Sequence, residues 1–214
     1  MKKRYFWTGT GLVLIVIAAV LSVKTLRGVS SSTPTFDNLK IKGPKNAPVH
    51  LVVYSDFQCP ACKLAVKPIE DLRDQFGDSL KIEFRHYPLE RPHKWALMAA
   101  SFAQCAAEQN KFWEFHDRLF KAQETWSTSP DPVAFFAEIV QDLGLNTQQF
   151  ESCIQNPATL AQVRKEQSLG NKQGVQSTPT IFINGQMLLG SIQLKEKGPG
   201  IITKELEKTK RFSF

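Results

Sequence analysis

Acidic side chains are missing from the first 27 residues of this 214-residue chain, and cysteine and histidine are scarce throughout, four of each. The missing acids distort the charge balance. Net charge is +7, yet Lys2, Lys3, Arg4, Lys24 and Arg27 supply five of the basic side chains. The remainder holds 22 basic against 20 acidic residues, so the body is near neutral and nucleic-acid binding gains no support. The basic cluster Lys204, Lys208, Lys210 and Arg211 reads as a solvated helix face. Structural zinc usually takes two close ligand pairs. Here only Cys59 and Cys62 are close; Cys105 and Cys153 stand apart, and His50, His86, His93 and His116 show no H-x-x-x-H spacing. No metal and no cofactor is expected. Nor is there an internal repeat.

Polar residues are absent from Leu12 to Leu21. Taken from Phe6 to Val23, the stretch approaches the roughly 17–20 residues that cross a bilayer. Residues 1–28 therefore read as an N-terminal membrane anchor or signal peptide, with Ala18, Ala19 and Ser22 as small residues near a cut. The basic flank predicts the N-terminus inside and the body outside. No cysteine follows the apolar run, which argues against a lipoprotein anchor. The body is expected in an extracytoplasmic, oxidising compartment, the periplasm or the outer face of the cell membrane, where an even number of cysteines pairs. Residues 29–36 are Ser/Thr/Pro-rich and read as a linker.

The chemistry centres on Cys59-Pro60-Ala61-Cys62. An apolar, β-branched run from Val49 to Tyr54 precedes it and reads as a buried strand. Leu64, Ile69, Leu72 and Phe76 follow at helical intervals. Both cysteines thus sit where a strand ends and a helix begins, within reach of each other. Exposed N–H groups and the helix dipole favour a thiolate there. Pro60 suits the first helical turn, where its missing donor costs nothing. Cys59, nearer the positive helix end, is read as the attacking sulfur and Cys62 as the resolving one.

Around this centre, residues 36–42 predict a short leading strand. Residues 80–87 alternate apolar and polar, a second strand. From His93 to about Gln173 the periodicity is helical. Trp95, Met98, Phe102 and Ala106 share one face; Phe112, Phe115, Leu119 and Phe120 mark a second helix. Phe135 to Leu143 mark a third, and residues 148–154 and 158–170 two more. Strand character returns at residues 180–184 and 187–190, a hairpin. A last helix is expected over residues 201–210. The whole is an α/β domain with a helical insertion. Its parts are residues 37–92, the insertion over 93–174, and residues 175–214. Four cysteines allow three pairings. Adjacency takes Cys59 with Cys62 and leaves Cys105 and Cys153, both on inward faces, as a second pair or two buried thiols.

The stretch Val-Val-Tyr-Ser-Asp-Phe-Gln-Cys-Pro-Ala-Cys at 52–62 resembles the active-site segment of DsbA-like thiol-disulfide oxidoreductases. Ser177-Thr178-Pro179-Thr180 resembles the cis-proline loop of their thioredoxin fold, and residues 93–120 are similar to the helical insertion of the membrane-anchored branch. The resemblance spans about 40–210. It implies a thioredoxin-like fold with a cis Pro179 beside the dithiol, leaving the Thr178 backbone to pair with an extended substrate. It implies a structural disulfide between Cys105 and Cys153. It also implies that reduced exported proteins are oxidised through Cys59 and Cys62, and that a membrane quinone-linked reoxidase of the DsbB or VKOR type regenerates the disulfide.

Two departures bear on the redox poise. Strongly oxidising members have histidine between the cysteines, where this chain has Ala61. Relatives often place an acid on the central strand beneath the dithiol, where this chain has Val53. His93 is read either as an ordinary helix-start histidine or as a substitute cation near the dithiol; Glu83 and His86 are the alternatives for the missing acid, but both are placed on a strand's solvent face. A milder oxidant than the strongest of the family is expected. A reductase or isomerase of exported proteins and a non-enzymatic chaperone or binding module share these features. Dimeric isomerases need a dimerisation domain, for which the segment before Phe36 leaves no room, so a monomer is expected.

Overall fold

The computed structural model describes residues 39–211, which belong to one compact unit. The expected anchor, the linker and the first residues of the leading strand lie outside them. The first element, β1, is Ile41–Lys42. Strand β2, Val49–Ser55, leads through the dithiol loop into helix α1, Pro60–Phe76. A 3-10 turn, Gly77–Ser79, returns the chain to β3, Leu80–His86. Strands β2 and β3 are parallel, which requires such a crossover.

The insertion follows. It comprises α2 (Ala96–Glu108), α3 (Phe112–Lys121), α4 (Gln123–Ser127), α5 (Val133–Asp142), α6 (Thr147–Gln155) and α7 (Pro157–Lys172). The hairpin β4 (Thr180–Ile183) and β5 (Gln186–Leu189) then runs into α8, Gly190–Arg211. The five-stranded sheet has the order β1-β3-β2-β4-β5, and every pair except β2–β3 is antiparallel. This is the thioredoxin-like α/β fold with a helical insertion that the residues predict.

Side-chain burial explains the arrangement. Leu80, Ile82, Phe84 and His86 alternate with partly exposed Lys81, Glu83 and Arg85 along β3. Val49, Leu51 and Val53 of β2 are buried on the central strand. Phe57, in the dithiol loop, stacks on Phe84 with centroids 5.1 Å apart and meets Phe112, Phe120 and His116 of the insertion. It therefore fastens the loop to both layers, and burying such a ring contributes about 1.5–3 kcal/mol. Within the insertion Phe102 packs on Phe136 and Phe150, and a disulfide joins Cys105 of α2 to Cys153 of α6. Lys40 Nζ, almost fully buried, donates to Glu166 Oε1 (2.5 Å) and Gln104 Oε1 (2.6 Å), pinning the approach to β1 against α2 and α7. Gly170 lets α7 close on the sheet: a Cβ there would stand 2.9 Å from the Tyr87 ring.

Four expectations need correction. His86 is not on a solvent face; it is fully buried, on the inward side of β3. Leu64 does not share the inward row of α1, being 68% exposed, whereas Cys62, Ala65 and Leu72 are buried. The last helix begins at Gly190, well before Ile201. Gly198 and Pro199 suggest a break, but Leu194, Gly198 and Ile202 recur every four residues and are buried, with Gly198 against Leu72 of α1. Packing along that row holds the helix through its proline. Short helix α4 was not expected at all.

Candidate active site

Strand β2 aims the dithiol loop, and α1 starts inside it. Cys59 is the N-cap residue of α1 and Pro60 follows as its first residue. The Cys59 carbonyl accepts the N–H groups of Cys62 (3.1 Å) and Lys63 (3.3 Å), closing the first turn. Cys59 and Cys62 are free thiols here. Ala61 packs on the core between them.

The two sulfurs have opposite electrostatics. The Cys62 S–H donates to Cys59, the largest influence on it, and holds Cys59 at about 6 against the opposing pull of its own burial. Contacts from Thr178 and from the Cys62 and Ala61 backbone add to the effect. Those backbone N–H groups are the orphan donors of the helix start. Burial pushes Cys62 well above the ordinary thiol range, and its hydrogen bond to Cys59 acts in the same direction. The Ser55 hydroxyl and the Asp56 N–H oppose that rise; the N–H lies 3.4 Å from Cys62 Sγ. One sulfur is thus mainly a thiolate at neutral pH and the other mainly a thiol. This is the asymmetry that thiol-disulfide exchange requires.

The Thr178–Pro179 peptide bond is cis. The Thr178 carbonyl lies 3.4 Å from Cys59 Sγ, so the loop before β4 meets the dithiol. Thr178 Oγ1 is buried without a hydrogen-bond partner among the described residues, and it can turn to donate to a Cys59 thiolate. His93 joins the site by way of Asp56: its Nδ1 lies 2.7 Å from Asp56 Oδ2. Val53 of β2 offers the dithiol no acid. With Ser55, Cys62, Phe84, His116 and Lys42 it lines a cavity of about 260 Å³ behind α1.

Glu83, the alternative for the missing acid, is committed elsewhere. Burial alone would raise it, but hydrogen bonds from His50 and Arg85 hold it at about 2. Among the described residues no three His, Cys, Asp or Glu side chains are grouped to hold a metal ion, and no helix is long and apolar enough to cross a membrane. Sequence reading missed Ser55, Asp56, Gln58 and Gln123. Asp56 carried the one visible signal, an acid between an apolar strand and a dithiol.

Fold and site together define a thioredoxin-fold protein with a C-x-x-C dithiol and a helical insertion. The chain belongs to the thioredoxin family, whose family model matches residues 38–198. It is similar to the Na(+)/H(+) antiporter NhaA 1 of Mycolicibacterium vanbaalenii, with 33% identity over 165 residues covering 76% of this chain and 25% of that protein. The chain thus spans about a quarter of the length of the curated relatives it matches. Among solved structures, α-DsbA1 of Wolbachia pipientis superposes with a TM-score of 0.68 at 22% identity, covering 79% of this chain and 91% of that one. The thiol-disulfide exchange protein α-DsbA2 of the same organism has a TM-score of 0.63 at 19% identity, covering 94% and 100%. These structures share the fold of this chain.

Proposed function

We propose that this chain is a thiol-disulfide oxidoreductase that introduces disulfides into exported proteins through Cys59 and Cys62. One observation carries the reading: Cys59 caps the start of α1 beside a buried, free Cys62, with the Thr178 carbonyl of the cis-proline loop 3.4 Å from Cys59 Sγ. In the oxidised protein a substrate thiolate attacks Cys59 Sγ. The Cys59–Cys62 bond breaks and Cys62 leaves as a thiolate, met by the Asp56 N–H and the Ser55 hydroxyl, then takes a proton. A second substrate thiolate attacks the substrate sulfur of the mixed disulfide, and Cys59 leaves. Two electrons pass from the substrate dithiol to the protein; Cys62 keeps one proton, Cys59 stays mainly a thiolate, and the substrate's remaining proton goes to solvent. A stabilised Cys59 thiolate is the better leaving group and lowers the energy of the reduced protein, which favours this direction.

The Thr178 main chain, beside Cys59, is the proposed site for an extended substrate segment. A membrane quinone-linked reoxidase of the DsbB or VKOR type is the proposed electron acceptor. The body works outside the cytoplasm, with residues 1–28 as its membrane anchor or signal peptide. Ala61 in place of histidine leaves it a milder oxidant than the strongest of the type.

Oxidation of reduced ribonuclease and rearrangement of scrambled ribonuclease, run in parallel, separate an oxidase from an isomerase. Faster oxidation that is lost in Cys59→Ser is the expected result. A dithiol potential as low as that of thioredoxin, about −270 mV, would overturn the oxidase assignment.

A further inference from the structure

The loop carrying Cys59 is tied to the helical insertion by three side chains. Gln58 accepts the Trp95 N–H at 2.7 Å and donates to the Ser127 carbonyl at 3.0 Å. Gln123 of α4 donates to the carbonyls of Phe57 (2.8 Å) and Cys59 (2.9 Å). The third is Asp56, and it differs from the others because its main chain meets both cysteines. Its carbonyl accepts the Cys59 N–H at 3.1 Å, and its N–H faces Cys62 Sγ at 3.4 Å.

The Asp56 carboxylate is buried, with its residue 2% exposed. It survives there because three donors converge on it: Gln58 N–H (2.8 Å), Leu89 N–H (2.8 Å) and His93 Nδ1 (2.7 Å). Two of these come from the segment between β3 and α2. A hydrogen bond depends steeply on distance and angle. A few tenths of an ångström at the Asp56 carboxylate therefore change how well the N–H on the same residue meets the sulfur. In the reduced protein that N–H meets the free Cys62 sulfur at 3.4 Å, and the contact changes when the sulfur enters a disulfide.

Building on the dithiol reading above, we propose that Asp56 and His93 form a positioning pair. His93 fastens the Asp56 carboxylate to the insertion, so that the Asp56 main chain grips both cysteines and favours the reduced dithiol over the disulfide. His93 acts through Asp56 and not as a cation on the sulfur. The insertion thereby sets the redox poise of a site built on the thioredoxin-like part.

The test equilibrates the full chain and its His93→Asn and His93→Leu variants with reduced and oxidised glutathione, and reads the Cys59–Cys62 state by alkylation. Asparagine keeps an N–H in the place of Nδ1 without the ring or its charge; leucine removes the donor. In the leucine variant the equilibrium shifts about fivefold toward the disulfide, the scale of one weakened hydrogen bond to a neutral sulfur, while the asparagine variant stays within about twofold. Thermal midpoints of both redox forms are measured alongside, and the leucine variant loses more stability when reduced than when oxidised.

An unmoved equilibrium, with equal loss of stability in both redox forms, makes the pair a structural tie only and overturns the proposal. An asparagine variant shifted as far as leucine assigns the effect to imidazole charge and overturns it as well. A wild-type chain that does not exchange with glutathione removes the dithiol reading itself, and that outcome is visible before any variant is compared.

Discussion

Replacing Cys62 by alanine removes the S–H group that most strongly favours the Cys59 thiolate. With Cys59 at about 6, roughly 90% of it is ionised at pH 7; an ordinary cysteine near 8.5 is only about 3% ionised. In Cys62→Ala the remaining donors, Thr178 and the α1 backbone, must oppose burial alone, and the titration midpoint climbs by more than about one pH unit toward the ordinary thiol range. Cys62→Ser keeps an O–H in nearly the same place and stays within about one pH unit of wild type. The assay is the pH profile of alkylation, confirmed by the ultraviolet absorbance of the thiolate. The midpoint is the informative quantity. The rate at pH 7 changes less, because a more basic thiolate is also intrinsically more nucleophilic.

A stability effect accompanies the shift. The Cys59 pKa is lower in the folded reduced protein than in the unfolded chain, so the unfolded chain binds more protons between about 6 and 8.5. Reduced-form stability therefore rises with pH across that window and is lost as pH falls through about 6. The oxidised form has no thiol to titrate. Equal midpoints for Cys62→Ala and wild type, or a wild-type midpoint near 8.5, would refute the reasoning.

Two further results are expected. His86 is buried with neither ring nitrogen hydrogen-bonded among the described residues, and burial holds its pKa well below the ordinary 6.5. The unfolded chain thus gains a proton that the folded one refuses, and stability falls as pH drops below about 6.5. His86→Leu should reduce that slope in urea unfolding, leaving the part due to buried His116, and an unchanged slope would contradict the assignment. The Cys105–Cys153 bridge spans a sequence separation of 48. Replacing both cysteines by alanine should cost about 2–4 kcal/mol in denaturant unfolding while leaving the Cys59–Cys62 equilibrium with glutathione within about twofold.

Local signals were legible where local physics decides. The dithiol at a strand–helix junction, the two strands on either side of α1, and the closing hairpin all follow from short-range periodicity. Pro60 at the helix start is equally local. The misreadings share another cause. Gly198 and Pro199 are poor helix residues, and only the row of contacts with α1 keeps α8 continuous across them. His86 alternates correctly with its neighbours, but which face of β3 is covered depends on the insertion laid over it. Gln123 and Gln58 look like ordinary polar residues until the fold brings each onto a backbone group far along the chain.

The amino-acid order alone determined that two sulfurs would stand at the positive end of a helix, since that needs only four consecutive residues and the strand before them. Tertiary structure alone decided what surrounds those sulfurs. Thr178 reaches Cys59 across a separation of 119 residues, and His93 reaches Asp56 across 37. Contacts at such distances depend on how sheet and insertion pack together, and periodicity holds no information about that.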